Sequence, residues 1–488
     1  SAATMPATAT IPPARPRLDA WERRHAWHPF TQHAEAALYP PLHIQSGEGV
    51  WLFDDEGRRY FDGNSSLWTN VHGHRDPDLD GALRVQLDNI AHATWLGLSH
   101  PTAGELAAKL AHMAGPGLER VFFSDNGSCA VEVALKLSRQ YWQLVGQPEK
   151  REIVGFTGGY HGDTLGAMAA GGNKDFHGRF ADWFLPTHHV PAPICRELAG
   201  KVFSSDAEPS LRALRELLGA RRDKISAVIL EPSVQGAAGM MQQPAGFVAD
   251  VAALCREHGV HLILDEVFVA FGRLGRMLVG RNEGVTPDFL CLGKGLAGGY
   301  LPLAATLTSD EIHAAFGGPF EEGRTFFHGH TFTANPLACA VALASIAKLE
   351  PLVADGTLAQ RIRDFGDIFA SCVHGQLQVE NVRQRGFTAA FEIIGNNAVP
   401  YPAAARVGLQ VCLEARNRGL ILRPLGDTLH FVPPPCSDES DFRFLCETAR
   451  AVLDAVLKRP GGPPLRFADF AKSYAPSTPA NSFPKNNP

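Results

Sequence analysis

The chain has 488 residues, and at roughly 100–200 residues per domain this length predicts two to four folding units and excludes a small disulfide-stapled module. Hydrophobic residues make up 45% and charged residues 20%, which is typical of a protein with a large core and not of a disordered chain. Lysine and arginine total 45 against 51 aspartate and glutamate, a formal charge of −6. Because no basic stripe is present, we expect no nucleic-acid partner.

The cysteines and the lengths of the apolar stretches indicate the cellular compartment of the protein. Nine cysteines are scattered singly without a C-x-x-C pair, which predicts reduced, packed thiols in a cytoplasmic enzyme. No uninterrupted apolar stretch reaches the roughly 18–20 residues that a membrane span needs, so we expect no membrane partner. Segments 1–16 and 471–488 are rich in proline and in small or polar residues, and we expect a disordered leader and tail there.

The middle of the chain alternates short apolar runs with segments of helical spacing. Runs that are apolar throughout are typical of strands buried on both faces. These runs are 121–124, 152–156, 227–231, 262–265, 289–292 and 304–308. Helices are expected between them, for example over 129–142 and 246–258. The alternation predicts an α/β fold with a mostly parallel, doubly wound sheet that binds ligands at the carboxyl ends of its strands.

From about residue 336 one long apolar-periodic helix is expected to lead into a smaller α+β domain. We assign residues 17–75 and 346–470 to this small domain, built from both chain ends, and 76–345 to the large domain. The expected elements outside the central sheet are a hairpin at 49–53 and 59–62, helices over 337–349, 403–418 and 441–457, and strands within 379–394 and 420–433.

Charged residues that follow two predicted buried strands are the candidates for catalysis. Asp265 and Glu266 end the run 262–265, and Lys294 follows 289–292 between two glycines. A lysine at the end of a buried strand loses hydration, which favours its neutral amine and suits a Schiff-base nucleophile. Asp265 and Lys294 lie about one strand–helix–strand step apart, and pyridoxal phosphate needs such a carboxylate and lysine. The alternatives are solvated strand-end carboxylates and a surface lysine in a turn.

Two further loops at the same edge of the sheet fit that cofactor. Gly127 and Ser128 open an expected helix, whose unpaired N–H groups favour an anion such as phosphate, although Asp125-Asn-Gly-Ser128 is also ordinary turn chemistry. Tyr160 lies in a glycine-rich loop after 152–156 and can stack on a ring. Its alternative is a packed or exposed loop tyrosine.

Other motifs are weaker. Gly293-Lys-Gly-Leu-Ala-Gly298 formally matches a dinucleotide fingerprint, but it does not open an early βαβ unit. No P-loop and no G-x-S-x-G elbow occurs. The histidine pairs at 72/74, 188/189 and 328/330 have no carboxylate or cysteine at a zinc-ligand spacing, so we expect no metal site.

Taken together, these residues resemble the class III aminotransferases, fold-type I pyridoxal-phosphate enzymes, over roughly 21–457. Within that family the sequence is similar to the branch that aminates 8-amino-7-oxononanoate to 7,8-diaminononanoate in biotin biosynthesis. The segments that carry the resemblance are Trp27-His-Pro-Phe-Thr-Gln32, Asp62-Gly-Asn-Ser-Ser-Leu-Trp68, Val71-His-Gly-His74, Gly159-Tyr-His-Gly-Asp-Thr164, Val234-Gln-Gly236, Phe327-His-Gly-His-Thr-Phe332 and Leu422-Arg-Pro-Leu-Gly426.

The resemblance implies roles for individual residues. Lys294 would bind the cofactor aldehyde and move the proton, Asp265 would pair with the ring nitrogen, and Tyr160 and Val267 would cover the ring faces. Thr331 would reach the phosphate from the partner subunit, which implies an obligatory homodimer. The implied cofactor residues are Gly127, Ser128, Tyr160, Asp265, Val267, Lys294, His330 and Thr331. The implied substrate residues are Phe30, Leu67, Trp68, Tyr160, Gly329 and Arg423, with Arg423 on the acceptor carboxylate.

Several positions depart from the best-known branch, which takes its amino group from S-adenosylmethionine. Phe30, Leu67 and His330 stand where that branch has Tyr, Trp and Pro, and resemble the branch that uses lysine. We therefore expect a ping-pong enzyme with lysine favoured over S-adenosylmethionine as donor. Val269 and Ala270 replace the usual Thr and Gly, and because alanine resists positive φ, the local turn is expected to differ. The alternatives are a broad ω-amine or diamine:pyruvate transaminase and a non-catalytic protein that retains the fold.

Overall fold

The computed structural model describes residues 18–35, 38–376, 378–395 and 398–474. The expected leader at 1–16 and most of the expected tail lie outside the described residues. The strands are β1 Ile44–Glu48, β2 Trp51–Asp54, β3 Arg59–Asp62, β4 Arg120–Ser124, β5 Glu152–Phe156, β6 Thr187–Val190, β7 Ile194–Leu198, β8 Lys201–Asp206, β9 Ile225–Leu230, β10 Val234–Gln235, β11 Met241–Gln242, β12 His261–Asp265, β13 Phe289–Leu292, β14 Ala304–Thr308, β15 Val379–Arg385, β16 Thr388–Ile393, β17 Leu420–Ile421, β18 Pro424–Leu425 and β19 Thr428–Phe431. The helices are α1 Leu18–His25, α2 Ser65–Trp68, α3 Pro77–Asn89, α4 Pro101–Ala114, α5 Gly127–Leu144, α6 Leu165–Ala170, α7 Lys174–His177, α8 Glu208–Arg221, α9 Phe247–His258, α10 Asp310–Ala314, α11 Pro336–Ala354, α12 Thr357–Val373, α13 Val407–Arg416, α14 Glu439–Leu457 and α15 Phe467–Ser473.

A seven-stranded sheet forms the centre of the large domain, in the order β4-β14-β13-β12-β9-β5-β6. Strands β13, β12, β9, β5 and β6 pair in parallel, whereas β14 pairs antiparallel with both β13 and β4. The expected α/β fold with a mostly parallel sheet is confirmed, and the six predicted runs coincide with six of these strands. Strand β6 was not predicted, because its sequence Thr-His-His-Val is not an apolar run.

Both faces of this sheet are covered, which is why its strands are apolar throughout. Along β12, Ile263 packs in a cluster with Ala130 and Val131 of α5, while Leu262 and Leu264 pack in a second cluster that includes Val248 of α9. Adjacent strand residues thus face opposite layers of helices. The loops at the carboxyl ends of the strands are left free to form a site.

Both chain ends contribute to the smaller region. Strand β17, near the carboxyl end, pairs in parallel with β3 in the sheet β1-β2-β3-β17. A second sheet, β15-β16-β19-β18, is antiparallel, and α12 packs on both β15 and α14. The predicted domain boundaries themselves stay a prediction.

Helix α11 is, among the described residues, the one helix whose length and composition would allow it to cross a membrane. It packs against α3, α4 and α12. Lys348 of α11 pairs with Asp76 and Asp78, and Glu350 pairs with Lys109 of α4. These are the contacts of a helix packed inside the protein.

Candidate active site

A cavity of about 700 Å³ lies at the carboxyl ends of the central strands. Most of the loops that border it follow strand β4, β5, β9, β12 or β13 of the central sheet, and Trp68 and Thr69 border it from the segment after β3. Of the residues predicted from the sequence, it brings together Trp68, Gly127, Ser128, Tyr160, Asp265, Val267 and Lys294.

Lys294 begins a short 3-10 turn after β13, with a left-handed φ of 43°. Its Nζ lies 4.9 Å from the centre of the Trp68 ring and 5.4 Å from that of Phe268. Burial lowers the pKa of the amine, and the negative charges of Asp265 and Glu231 oppose that shift. The site therefore favours a neutral, reactive amine more than water does. A strained backbone at a reactive side chain is a common feature of active sites.

Asp265 is held in a fixed orientation beside the cavity. Its Oδ2 accepts a hydrogen bond of 2.7 Å from Nδ1 of His161, and its Oδ1 accepts one of 3.1 Å from the Val267 backbone. Both side chains are buried, and Nε2 of His161 has no partner among the described residues. Sequence reasoning gave His161 no role, and its one signal was its place beside Tyr160.

The amino end of α5 forms a cradle of small residues. Oγ of Ser128 lies 2.7 Å from Oγ1 of Thr164 and accepts from the Thr164 backbone at 3.1 Å. A Cβ on Gly127 would lie 2.4 Å from Cγ1 of Val267, so this position has no room for a side chain. Free N–H groups at a helix amino end attract anions.

Tyr160 borders the cavity and is bonded on both sides. Its hydroxyl donates to Oδ2 of Asp163 at 2.8 Å, and its backbone N–H donates to Oε1 of Glu231 at 3.0 Å. Burial raises the pKa of the Tyr160 hydroxyl, so it remains a neutral donor.

Glu231, which sequence reasoning did not select, is fully enclosed at the end of β9. Its Oε2 accepts from the Gly236 backbone at 3.0 Å, so its carboxylate joins two loops of the site. Burial raises its pKa to about 7. Its signal in the sequence was a polar residue at the end of the apolar run 227–231.

The residues predicted to bind the amino-group acceptor lie in different environments in the structure. Trp68 is 6% exposed and donates from Nε1 to Oδ1 of Asn64 at 3.0 Å, whereas its neighbour Leu67 is 50% exposed. The turn Ser65–Trp68 has left-handed φ angles throughout, which turns these side chains apart. Arg423 is half-buried, its guanidinium carbon lies 5.3 Å from the centre of the Phe30 ring, and burial lowers its pKa. Among the described residues, Arg423 forms no ion pair.

The segment 327–332 lies beside the cavity rather than in it. Gly329 and Thr331 are exposed and do not border the cavity. Nδ1 of His330 lies 3.8 Å from Oδ2 of Asp125, which does border it. A single chain therefore does not bring Thr331 to the predicted phosphate position.

The two unusual residues after β12 are both buried, Val269 fully and Ala270 at 4% exposure. Positive φ angles occur at Phe271 and Gly272, but not at Ala270. Alanine at position 270 therefore carries no left-handed strain. That this turn differs from the turn of other family members stays a prediction.

The class of protein follows from this fold and site. The sequence profile of the family Aminotransferase class-III matches residues 32–453, and the chain belongs to that family. It is a pyridoxal-phosphate-dependent aminotransferase. The site fits the cofactor, because it combines the buried lysine Lys294, the fixed carboxylate of Asp265 and the cradle at Gly127 and Ser128.

Curated relatives and solved structures cover nearly the whole chain. An adenosylmethionine-8-amino-7-oxononanoate aminotransferase of Geobacter sulfurreducens is 44% identical over 89% of this chain and 97% of its own length. The crystal structure of the protein of that name from Methanocaldococcus jannaschii has a TM-score of 0.83 at 36% identity, covering 90% of this chain and 98% of that one. An amine transaminase from an uncultivated Pseudomonas species has a TM-score of 0.81 at 32% identity, covering 88% and 98%.

Proposed function

We propose that this enzyme aminates 8-amino-7-oxononanoate to 7,8-diaminononanoate in biotin biosynthesis, in a ping-pong sequence with the donor first and the acceptor second. The relatives of that name, at 36–44% identity, support this acceptor. The observation that carries the proposal is Arg423, a half-buried guanidinium without an ion pair among the described residues, next to Tyr160 and Phe30. A bidentate arginine suits the terminal carboxylate of that acceptor.

We assign a different role in the reaction to each group of residues in the cavity. Pyridoxal phosphate, when bound, supplies an aldehyde for the amino group and a ring that withdraws electrons from the reacting carbon. Lys294, with its lowered pKa, holds and returns the proton at Nζ. Asp265, which is fixed by His161, would present its negative charge to the ring nitrogen. Ser128 and the amino end of α5 would hold the phosphate.

An Arg423→Ala variant separates this function from the amine:pyruvate alternative. The alternative is considered because solved amine transaminases are also similar to this chain, and both functions need the same cofactor residues. If Arg423 binds the acceptor carboxylate, the variant loses roughly 10–100-fold in kcat/KM for 8-amino-7-oxononanoate, the effect of a lost charged hydrogen bond. An unchanged rate with this acceptor, alongside turnover of pyruvate with a simple amine, overturns the proposal.

Lysine is the donor we propose, on the evidence of Phe30, Leu67 and His330. The names of the relatives contain adenosylmethionine instead. Adding each donor alone to the purified holoenzyme and following the visible absorption of the bound cofactor distinguishes the two. Bleaching by lysine supports our assignment, and bleaching by S-adenosylmethionine alone overturns it.

We also propose that the enzyme works as a homodimer, with Thr331 of the partner subunit at the phosphate. An exposed apolar surface supports this, since Leu96 is 89% and Phe327 is 78% exposed. The segments that carry these residues meet where the Phe332 ring packs against His92, with ring centres 4.6 Å apart and planes inclined by 46°. Sedimentation equilibrium tests the dimer.

A cytoplasmic location is the last part of the proposal. All nine cysteines are free, and most are buried. Unpaired, packed thiols are typical of reducing compartments. Fractionation of the native host, with the enzyme followed by antibody, tests the location.

A further inference from the structure

His177 lies at the end of the short helix α7 and is only 3% exposed. Its Nε2 lies 2.9 Å from Oδ1 of Asp163. Because an ionised carboxylate can only accept, Nε2 is the donor. The other ring nitrogen, Nδ1, is buried without a partner among the described residues. Within the part of the chain that the structure describes, the polar contact of the His177 side chain is therefore with Asp163 alone.

Asp163 is held from both sides although about half of its side chain is exposed. His177 binds Oδ1, and the Tyr160 hydroxyl binds Oδ2 at 2.8 Å. The rings of His177 and Tyr160 stack, with centres 5.6 Å apart and planes inclined by 22°. The bond from His177 is the largest of the effects that lower the pKa of Asp163. The carboxylate is therefore both ionised and fixed in orientation.

Arg423 belongs to the same cluster. Its guanidinium packs over Phe30, whose ring centre lies 5.8 Å from that of Phe176, which in turn lies 6.2 Å from that of Tyr160. The charges of Arg423 and Asp163 act on each other's pKa values, after the larger effects of burial on Arg423 and of His177 on Asp163. Yet the two groups form no ion pair with each other, since Asp163 is bonded to His177 and Tyr160 instead.

We infer that His177 is a positioning residue that holds Asp163 against Tyr160 and thereby leaves Arg423 free for the carboxylate of the substrate. This inference rests on the proposed function and deepens it. Without the Nε2–H donor, the Asp163 carboxylate can turn towards the guanidinium. An internal Asp163–Arg423 pair would then compete with a substrate carboxylate, but not with an uncharged ester at the same position.

The test compares two acceptors in the purified holoenzyme: 8-amino-7-oxononanoate and its methyl ester. Its readout is the ratio of kcat/KM for the free acid to kcat/KM for the ester. General damage to the site lowers both values and leaves the ratio unchanged. His177→Phe keeps an aromatic ring against Tyr160 and removes the donor, and we expect the ratio to fall about tenfold, the effect of roughly one charged hydrogen bond.

Two variants serve as controls. His177→Gln retains an N–H donor, and we expect it to keep most of the wild-type ratio. His188→Phe removes a comparable histidine bond, 2.8 Å to Glu152 on β5, and should leave the ratio unchanged. If His177→Phe does not retain the cofactor, the ratio is measured in His177→Asn, whose shorter amide does not reach Asp163 and which should show the same fall.

Different results overturn the proposed function and the role of His177. A wild-type enzyme that aminates neither acceptor overturns the proposed function, and this inference with it. A wild-type enzyme that prefers the free acid, with the same ratio in His177→Phe, overturns the inference alone.

Discussion

Asp265 and Glu266 are adjacent in the chain, but their carboxylates serve different parts of the molecule. Asp265 bonds to His161 beside the cavity, whereas Glu266 accepts from the backbone N–H groups of Val279 and Gly280 at 2.6 and 2.7 Å. Successive side chains at a strand end point in opposite directions. Asp265 is thus available to a cationic ligand, and Glu266 braces a loop.

Asp265→Asn tests the first of these roles. The variant keeps the size of the side chain but loses the negative charge that we assign to the ring nitrogen of the cofactor. Removing one preorganised electrostatic group from an active site costs roughly 10²–10³ in kcat. We expect a loss of at least this size in both half-reactions, measured by single-turnover absorbance. A variant with wild-type rates would contradict the assignment.

Glu266→Gln tests the second role through the pH dependence of stability. Burial raises the Glu266 pKa from its ordinary 4.5 to about 7, so between these values the folded protein binds a proton that the unfolded chain has released. The stabilisation from this group is therefore present at low pH and is lost as the pH rises through that window. The glutamine variant lacks this titration.

Urea unfolding between pH 4.5 and pH 8 measures the effect. The unfolding free energy of the wild type should fall relative to that of Glu266→Gln by on the order of 1–3 kcal/mol, at about 1.4 kcal/mol per pKa unit. Glu216→Gln, on an exposed part of α8, is the matched control and should follow the wild type. Parallel curves for the wild type and Glu266→Gln would refute the prediction.

Gly127→Ala tests the cradle at α5. The new methyl group would meet Val267 at 2.4 Å, and overpacking of this kind costs roughly 1–3 kcal/mol. We expect weaker binding of pyridoxal phosphate, measured by fluorescence titration, and partial recovery in Gly127→Ala/Val267→Ala. Gly219→Ala in α8 has open space around it and should bind the cofactor as the wild type does. Equal cofactor affinity in all variants would contradict the proposed role of Gly127 in phosphate binding.

Mixing two inactive variants tests the shared site of the proposed homodimer. Lys294→Ala lacks the reactive amine, and Thr331→Glu places a negative charge at the position where we propose that the phosphate binds. If each site combines Lys294 of one chain with Thr331 of the partner subunit, random reassociation restores about a quarter of the wild-type sites, because half of the dimers are hybrids with one intact site. No recovery after unfolding and refolding the mixture would place both residues in one chain.

The fold and the reactive pair could be predicted from the sequence because they depend on local patterns. Buried strands are apolar along their whole length, and Asp265 and Lys294 follow two of them. Glu231 and His161 were missed because apolar periodicity does not give the direction of a polar side chain at a loop. The left-handed turn at Ser65–Trp68 was also missed, since serine, leucine and tryptophan do not indicate positive φ.

Arg423 and Thr331 were reached only through the resemblance to a family. Arg423 lies far along the chain from the reactive pair, and Thr331 is proposed to act across a subunit boundary. No spacing within one sequence encodes such a contact, whereas parallel strand ends meet by topology alone.

Product analysis is the most direct test of the central claim. Purified holoenzyme is given 8-amino-7-oxononanoate with either lysine or S-adenosylmethionine, and 7,8-diaminononanoate is followed by mass spectrometry. We predict that the diamine forms, fastest with lysine, and that Lys294→Ala forms none. Absence of the diamine with both donors, in an enzyme that still transfers amino groups from a simple amine to pyruvate, would contradict the account.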